Sequence, residues 1–136
     1  MTQKAGTILI NLDTKNVGLV YRKSQGDYTF PKGHLEPNET ILECAVRETE
    51  EETQRSNHLA SEEEAYMLTY TNTVDGDIEA HYYIAIDDGP TTKTIAESEK
   101  EVLKWIDFNK VEETLSYNDL KEMWRSVKDT VWNYLK

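Results

Sequence analysis

The sequence is poor in cysteine, in signal-like segments and in long apolar runs, and each shortage excludes a class of protein. A single cysteine, Cys44, in 136 residues rules out an internal disulfide framework and favours a reducing compartment. No apolar run approaches the roughly 20 residues that a membrane-spanning helix needs. The N-terminal residues lack the basic and apolar regions of a signal peptide. We therefore expect a cytoplasmic protein.

Positive charge is also scarce. The chain has 15 lysines and arginines against 26 aspartates and glutamates, which gives a formal net charge of −11. Nucleic acids and anionic membranes are bound through basic patches, so we expect neither as a partner. A small anionic ligand would need metal ions or a few local bases to overcome the field of the protein. Composition does not decide between a monomer and a homodimer.

Length and composition indicate a single globular domain over residues 1–136. Hydrophobic residues make up 38% and charged residues 30%, which is the balance of a globular protein with one core. Short β-prone runs between turn formers predict strands, and apolar residues at helical spacing predict a long C-terminal helix. Residues 88–90 are expected to break the chain. We expect an α/β fold with a mixed sheet and two main helices. The predicted strands span 5–11, 17–22, 28–30, 65–73, 78–86 and 102–107, and the C-terminal helix spans 115–135.

Residues 33–53, GHLEPNETILECAVRETEEET, combine seven glutamates and one arginine with an apolar stripe. Thr40 and Glu43 fit a capping box, so a helix is predicted to start there. Glu43 and Glu50 fall on the outer face of that helix, where a solvated charge run explains them.

Three other glutamates of this helix are harder to explain as solvated. Glu48, Glu51 and Glu52 stand at positions i, i+3 and i+4, and Glu52 points towards the apolar stripe. Like charges at this spacing cost about 0.2–0.5 kcal/mol per pair. Carboxylate oxygens suit hard cations such as Mg²⁺ or Mn²⁺. Geometry alone leaves both a metal site and a solvated face open.

The same segment resembles the Nudix box. The glycine and charged positions of that motif are matched at its spacing by Gly33, Glu39, Arg47, Glu48, Glu51 and Glu52. Three other positions depart from it, because Thr49 and Arg55 replace aliphatic residues and Gln54 replaces the glycine that ends the helix. Without that glycine, we expect the helix to run on towards Ser56 and Asn57.

The resemblance extends beyond the box. Residues 28–34, YTFPKGH, resemble the segment before the box in asymmetric diadenosine tetraphosphate hydrolases, and Glu99 stands six residues before Trp105 as in that branch. The resemblance implies a Nudix-type α/β/α sandwich with a central mixed β-sheet. It also implies divalent-metal-dependent hydrolysis of a phosphoanhydride bond in a nucleoside diphosphate linked to another moiety, foremost diadenosine tetraphosphate cleaved to ATP and AMP. A housecleaning nucleoside triphosphate pyrophosphatase and a non-catalytic nucleotide-sensing domain remain alternatives.

Roles for the charged residues follow from the resemblance. Metal ions, Mg²⁺ or alternatively Mn²⁺, would be held by carboxylates helped by a backbone carbonyl around Gly33. Arg47 and Glu39 would orient these ligands, the alternative for Arg47 being a surface pair with Glu43. Glu99 is a candidate general base or further ligand, or else part of a solvated acidic loop. The expected metal ligands are Glu48, Glu51, Glu52 and Gly33, and the expected catalytic residues are Glu51, Glu52, Arg47 and Glu99.

The expected substrate is a small nucleotide polyphosphate. Its candidate contacts are Lys32, His34, Arg22, Lys93, Tyr82 and Tyr83. Lys32 is the first candidate for a phosphate, although each of these bases could be an ordinary surface residue. Tyr82 and Tyr83 alternate along a strand, so one is expected to stack a base in the pocket while the other packs in the core.

Overall fold

A mixed eight-stranded sheet forms the centre of the computed structural model, which describes residues 1–96 and 100–136. The strands are β1 (Thr2–Asn11), β2 (Asn16–Arg22), β3 (Asp27–Thr29), β4 (Lys32–His34), β5 (Arg55–Leu59), β6 (Tyr66–Asn72), β7 (Gly76–Pro90) and β8 (Glu101–Asp107). The helices are α1 (Ile41–Thr53), α2 (Val111–Thr114) and α3 (Asn118–Leu135), and a 3₁₀ turn over Phe108–Lys110 leads into α2.

The sheet is built around one parallel pair of strands. Its main order is β3-β2-β1-β7-β5, while β4 adds to β1, β6 to β7 and β8 to β2. Strands β1 and β7 run parallel, and every other described pair is antiparallel. Two antiparallel hairpins, β1–β2 and β6–β7, join consecutive strands.

Two core clusters place helices on opposite sides of the sheet. Six apolar residues of α3 are buried with sheet residues in the larger cluster: Leu120, Met123, Trp124, Val127, Val131 and Leu135. The smaller cluster joins Cys44 and Ala45 of α1 to Ala5 and Tyr83. The fold is therefore the α/β/α sandwich that the resemblance implied. No helix in the described part of the chain is long and apolar enough to cross a membrane.

The start of α1 is confirmed by its cap. The Glu43 backbone N–H donates to the Thr40 hydroxyl (3.1 Å), and the Thr40 backbone N–H donates to the Glu43 carboxylate (2.9 Å). These reciprocal bonds satisfy two N–H groups that the first turn leaves without helical partners.

The end of α1 contradicts the sequence-based prediction. The helix ends at Thr53, and Gln54 adopts the left-handed conformation (φ 61°) that glycine would favour there. Arg55 then starts β5, and its guanidinium holds the Asp87 carboxylate of β7 through two hydrogen bonds of 2.8 and 2.7 Å. The prediction that the helix continues was wrong because this pairing between distant segments requires the chain to turn at once.

Two further boundaries also differ. Strand β7 continues through residues 88–90, where a break was expected, because β5 pairs with it as far as Pro90. Helix α3 begins at Asn118 rather than at residue 115, since Leu115 instead caps the C-terminal end of α2 and is buried in the core.

Candidate active site

The glutamates of α1 and the glycine before it lie against each other. A Cβ atom built on Gly33 would meet a Glu48 carboxylate oxygen at 2.0 Å, so a side chain at this position would displace that carboxylate. The backbone N–H of Lys32 donates to Glu52 (3.2 Å). Strand β4 therefore passes directly over the acidic face of α1, which is formed by Glu48, Glu51 and Glu52. This close approach is possible because Gly33 has no side chain.

Arg47 organises the acidic face. Its Nε and Nη2 atoms donate to the two oxygens of Glu39 at 2.6 and 2.9 Å. Its Nη1 atom donates to Glu48 (2.7 Å) and to Glu51 (2.9 Å), and Nη2 also donates to the backbone carbonyl of His34 (3.0 Å). One guanidinium thus ties the loop before α1 to two of the expected metal ligands.

The two glutamates assigned to a solvated face differ in their surroundings. Glu43 caps α1, as described above. Glu50 is only 7% exposed and accepts hydrogen bonds from Thr91 (2.7 Å) and Lys93 (3.1 Å). The expectation of a solvated Glu50 was therefore wrong, because the chain after β7 folds over it. The Lys93 ammonium, a candidate phosphate contact, is paired with Glu50.

Burial shifts the pKa values of several charged residues at this site. Desolvation raises the pKa of Glu48, and it raises the pKa of Glu52 from 4.5 to about 8. Desolvation together with the nearby Lys4 ammonium lowers the pKa of Lys32 to about 8. By contrast, the hydrogen bonds from Arg47 lower the pKa of Glu39. The Glu48 and Glu52 carboxylates would gain most from a nearby cation, since burial has removed the water that stabilises their charge.

The glutamates of the acidic face are the type of ligand that binds a hard divalent cation, but in this structure they do not converge on one point. No three acidic, histidine or cysteine side chains in residues 1–96 and 100–136 converge on one point in the way a metal site requires. Arg47 occupies oxygens of Glu48 and Glu51, which accounts for this. Buried carboxylates are nevertheless the ligands that Mg²⁺ and Mn²⁺ prefer. Glu51 and Glu52 line a cleft of about 400 Å³ together with Glu101, and the predicted Glu99 lies outside the described residues.

A pocket of about 360 Å³ lies on the other side of Lys32. The ammonium groups of Lys4 and Lys32 lie 5.9 and 6.0 Å from the centre of the Tyr70 ring, within range of cation–π attraction. Arg22 and Tyr117 also line this pocket. Three bases and two tyrosines therefore line one pocket, and Lys32 links this pocket to Glu52 of α1.

The predicted substrate contacts are only partly found at this pocket. Lys32 and Arg22 line it, whereas the imidazole of His34 is bonded to Asp75 (3.0 Å). Tyr82 has no exposed surface, and Tyr83 is 7% exposed within the core cluster under α1. Base stacking on either tyrosine was a wrong prediction, because both rings are packed between the sheet and a helix.

Sequence reasoning missed a lysine and two tyrosines that line the pocket: Lys4, Tyr70 and Tyr117. Their separation along the chain hides their proximity, since they come from β1, β6 and the residue before α3. The alternation of β6 could have singled out Tyr70 as a side chain facing one side of the sheet. Nothing local marks Lys4, which is 8% exposed, as part of the same pocket.

Comparison with known proteins identifies the family. The family model of the NUDIX domain matches residues 2–127. The chain belongs to the Nudix family. It is a Nudix hydrolase, an enzyme class that generally uses divalent metal ions and acts on small nucleotide substrates.

Solved structures share the fold of this Nudix hydrolase. A binary complex of the Caenorhabditis elegans ("C. elegans") Ap4A hydrolase superposes with a TM-score of 0.77 at 19% identity, covering 98% of this chain and 99% of that one. A Nudix hydrolase from Nitrosomonas europaea has a TM-score of 0.75 at 14% identity, covering 95% of this chain and 89% of that one. A MutT protein from Bacillus halodurans gives 0.73 at 20% identity, with 94% and 82% covered. The TM-scores show a common fold, and at identities this low the likeness shows the fold alone.

Proposed function

We propose that this Nudix hydrolase cleaves diadenosine tetraphosphate to ATP and AMP in a Mg²⁺-dependent reaction in the cytoplasm. The position of Lys32 is the observation that carries the proposal. Its backbone N–H binds Glu52 on the acidic face, while its ammonium lies in the pocket with Lys4 and Tyr70. A ligand that reaches from the carboxylates into this pocket must be long and anionic, and must end in a group that fits against aromatic rings.

The acidic face supplies the catalytic part of this proposal. Glu48, Glu51 and Glu52 would hold Mg²⁺, with Mn²⁺ as the alternative, helped by the carbonyl of Gly33. A bound divalent ion supplies charge neutralisation at the phosphates and a water of lowered pKa. Arg47, held by Glu39, would orient Glu48 and Glu51 through the hydrogen bonds described above. Glu99 remains our candidate for the general base.

The basic pocket supplies substrate recognition. Lys4 and Lys32 would neutralise phosphates beyond the metal site, which matters in a protein of net charge −11. Tyr70 and Tyr117, rather than Tyr82 and Tyr83, are the aromatic rings available for an adenine. Stacking on one ring is worth about 1–3 kcal/mol.

A nucleotide panel with product identification tests the proposal. Diadenosine tetraphosphate should give equal amounts of ATP and AMP, with kcat/KM above that of any nucleoside triphosphate. Excess chelator should abolish turnover, and Glu51→Gln or Glu52→Gln should lower it by about 100-fold or more while the circular dichroism spectrum is kept. Two molecules of ADP as product would contradict the proposed cleavage. Faster hydrolysis of a nucleoside triphosphate would favour the pyrophosphatase, and binding without turnover would favour the sensor.

Lys32→Ala separates long from short substrates. We expect kcat/KM for diadenosine tetraphosphate to fall about tenfold, because one charge-assisted phosphate contact is lost. ADP-ribose, with two phosphates, should be affected less. Lys110→Ala is the matched control, since Lys110 is exposed and paired with Glu113 away from the pocket. An equal loss for both substrates would contradict the assigned role of Lys32.

A further inference from the structure

Asp27 is a buried acidic residue that belongs neither to the acidic face of α1 nor to the residues proposed to bind phosphate. It begins β3, pairs in register with Arg22 of β2 and is 4% exposed. The Arg22 guanidinium donates to both of its oxygens, from Nε at 2.7 Å and from Nη2 at 2.6 Å. The hydroxyl of Tyr117 donates to the same carboxylate, and Arg22 Nη2 also approaches that hydroxyl at 3.4 Å.

These bonds fix two side chains that line the pocket beside Lys32. Tyr117 precedes α3, is 44% exposed and makes no side-chain capping bond to the helix. A half-exposed tyrosine of this kind would ordinarily be free to change rotamer, which weakens any stacking because the ring must be ordered on binding. We call the hydrogen bonds from Arg22 and Tyr117 to Asp27 the tether. The neighbouring Ser116 strengthens it, since Ser116 exchanges hydrogen bonds with the backbone of Tyr28 (2.9 and 3.3 Å).

The pairing also changes the role of Arg22. The Arg22 guanidinium donates through Nε and Nη2 to one carboxylate, so its positive charge is already balanced by a neighbouring negative charge. The Arg22 bonds lower the pKa of Asp27, and the pKa of Arg22 is raised in return, so both stay charged. Arg22 is thus better suited to holding the pocket wall than to neutralising a phosphate.

We propose that Asp27 is a positioning residue that holds Arg22 and Tyr117 together as a preformed wall for the nucleotide base. The proposal rests on the nucleotide hydrolase function above. It predicts that breaking the tether weakens nucleotide binding and leaves the chemical step unchanged. The acidic face of α1 supplies none of these contacts, so its carboxylates should be unaffected.

Two single variants remove the tether from opposite ends. Asp27→Asn keeps the size of the side chain and removes its charge, whereas Tyr117→Phe keeps the ring and removes only the hydroxyl. For each, we expect the Kd of AMP, measured by calorimetry without turnover, to rise about five- to tenfold. The KM of the best hydrolysed nucleotide should rise by the same factor, with kcat within about twofold of the wild type. The double variant should be no worse than the stronger single variant, because both act on one contact.

Asp87→Asn is the matched control. Asp87 forms an ion pair of the same geometry with Arg55, and its side chain is 3% exposed, but it lies at the β5–β7 edge of the sheet. It should lower thermal stability about as much as Asp27→Asn does while the Kd of AMP stays within about twofold of the wild type. If Asp27→Asn does not fold, Tyr117→Phe tests the same bond at a half-exposed side chain.

The outcomes separate this inference from the proposed function. Unchanged AMP binding in both variants, or a loss of kcat at constant KM, would overturn the role of Asp27 even if diadenosine tetraphosphate is the substrate. Weakened AMP binding would support it even if another nucleotide is hydrolysed best. Wild-type protein that binds no AMP would overturn it as well.

Discussion

Glu52 and Lys32 meet where β4 crosses α1, and burial moves the pKa of each of them to about 8. A carboxyl whose pKa is raised on folding is most stable in its neutral form. The contribution of neutral Glu52 to the free energy of unfolding is therefore fully present below its unfolded pKa near 4.5. This contribution is lost as the pH rises through 8. Glu52 therefore makes the metal-free protein less stable at alkaline pH, where its carboxylate is charged and suited to bind a metal ion.

The variant Glu52→Gln tests this at the level of one side chain. In excess chelator at pH 8.5, we expect its free energy of unfolding in urea to exceed that of the wild type by about 1–3 kcal/mol, because a desolvated charge has been removed. At pH 5 the difference should vanish. Glu51→Gln makes the same chemical change at a side chain that is 43% exposed, so its effect should be smaller. A stabilisation that is the same at both pH values would contradict the titration of Glu52.

Gly33→Ala tests the contact between β4 and Glu48. The new Cβ atom would lie 2.0–2.6 Å from the three atoms of the Glu48 carboxyl group, so the carboxylate must move. A displacement of about 1 Å in a catalytic group can lower the rate about 100-fold, and we expect a loss of that size in kcat. Stability should change little, because the carboxylate is the end of a movable side chain. Full activity in this variant would show that Glu48 does not need its present position.

At the scale of elements, Gln54 carries backbone strain at the end of α1. A residue other than glycine costs about 1 kcal/mol in the left-handed conformation. Gln54→Gly should therefore raise the free energy of unfolding by about 1 kcal/mol without affecting kcat, as measured by urea titration. Ser56→Gly is the control, since glycine within β5 should destabilise the protein by about 0.5–1 kcal/mol. A destabilised Gln54→Gly variant would mean that the 3.3 Å bond from the Gln54 amide to Glu51 outweighs the strain.

The ends of α1 show what sequence can predict about elements. Its start was predictable because the capping box is contained in four consecutive residues. Its end was not, because the pair formed by Arg55 and Asp87 joins segments 32 residues apart and overrides the local preference of the chain. Strand β5, RSNHL, has no apolar alternation and is a strand only because β7 is there to pair with it.

The candidate site likewise contains residues whose proximity the sequence predicts and residues whose proximity it does not. Glu48, Glu51 and Glu52 lie on one helix, so their spacing alone predicted that they share a face. Lys4 and Tyr70 share a pocket only because the parallel pairing of β1 with β7 brings the start of the chain beside the β6–β7 hairpin. No local pattern contains that pairing, so the sequence alone could not bring Lys4 and Tyr70 together.

At the scale of the whole molecule, the net charge of −11 opposes an anionic substrate. The field reaches about 30 Å at an ionic strength of about 10 mM and only about 8 Å at about 150 mM. With free Mg²⁺ held constant, we expect kcat/KM for the nucleotide to rise over this range, because screening removes the long-range repulsion and spares contacts within the pocket. A fall with salt would show that the pocket bases, not the net charge, govern the approach of the substrate.

The parallel pair at the centre of the sheet also has a consequence for how the protein folds. Gln3 of β1 and Glu79 of β7 are hydrogen-bonded although 76 residues separate them. Closing so long a loop precedes the gain from pairing, so chains rich in such contacts cross their folding barrier slowly. Until β7 arrives, β1 has one unpaired edge and side chains that are buried in the finished fold. Strand β1 is therefore exposed to aggregation while the chain folds.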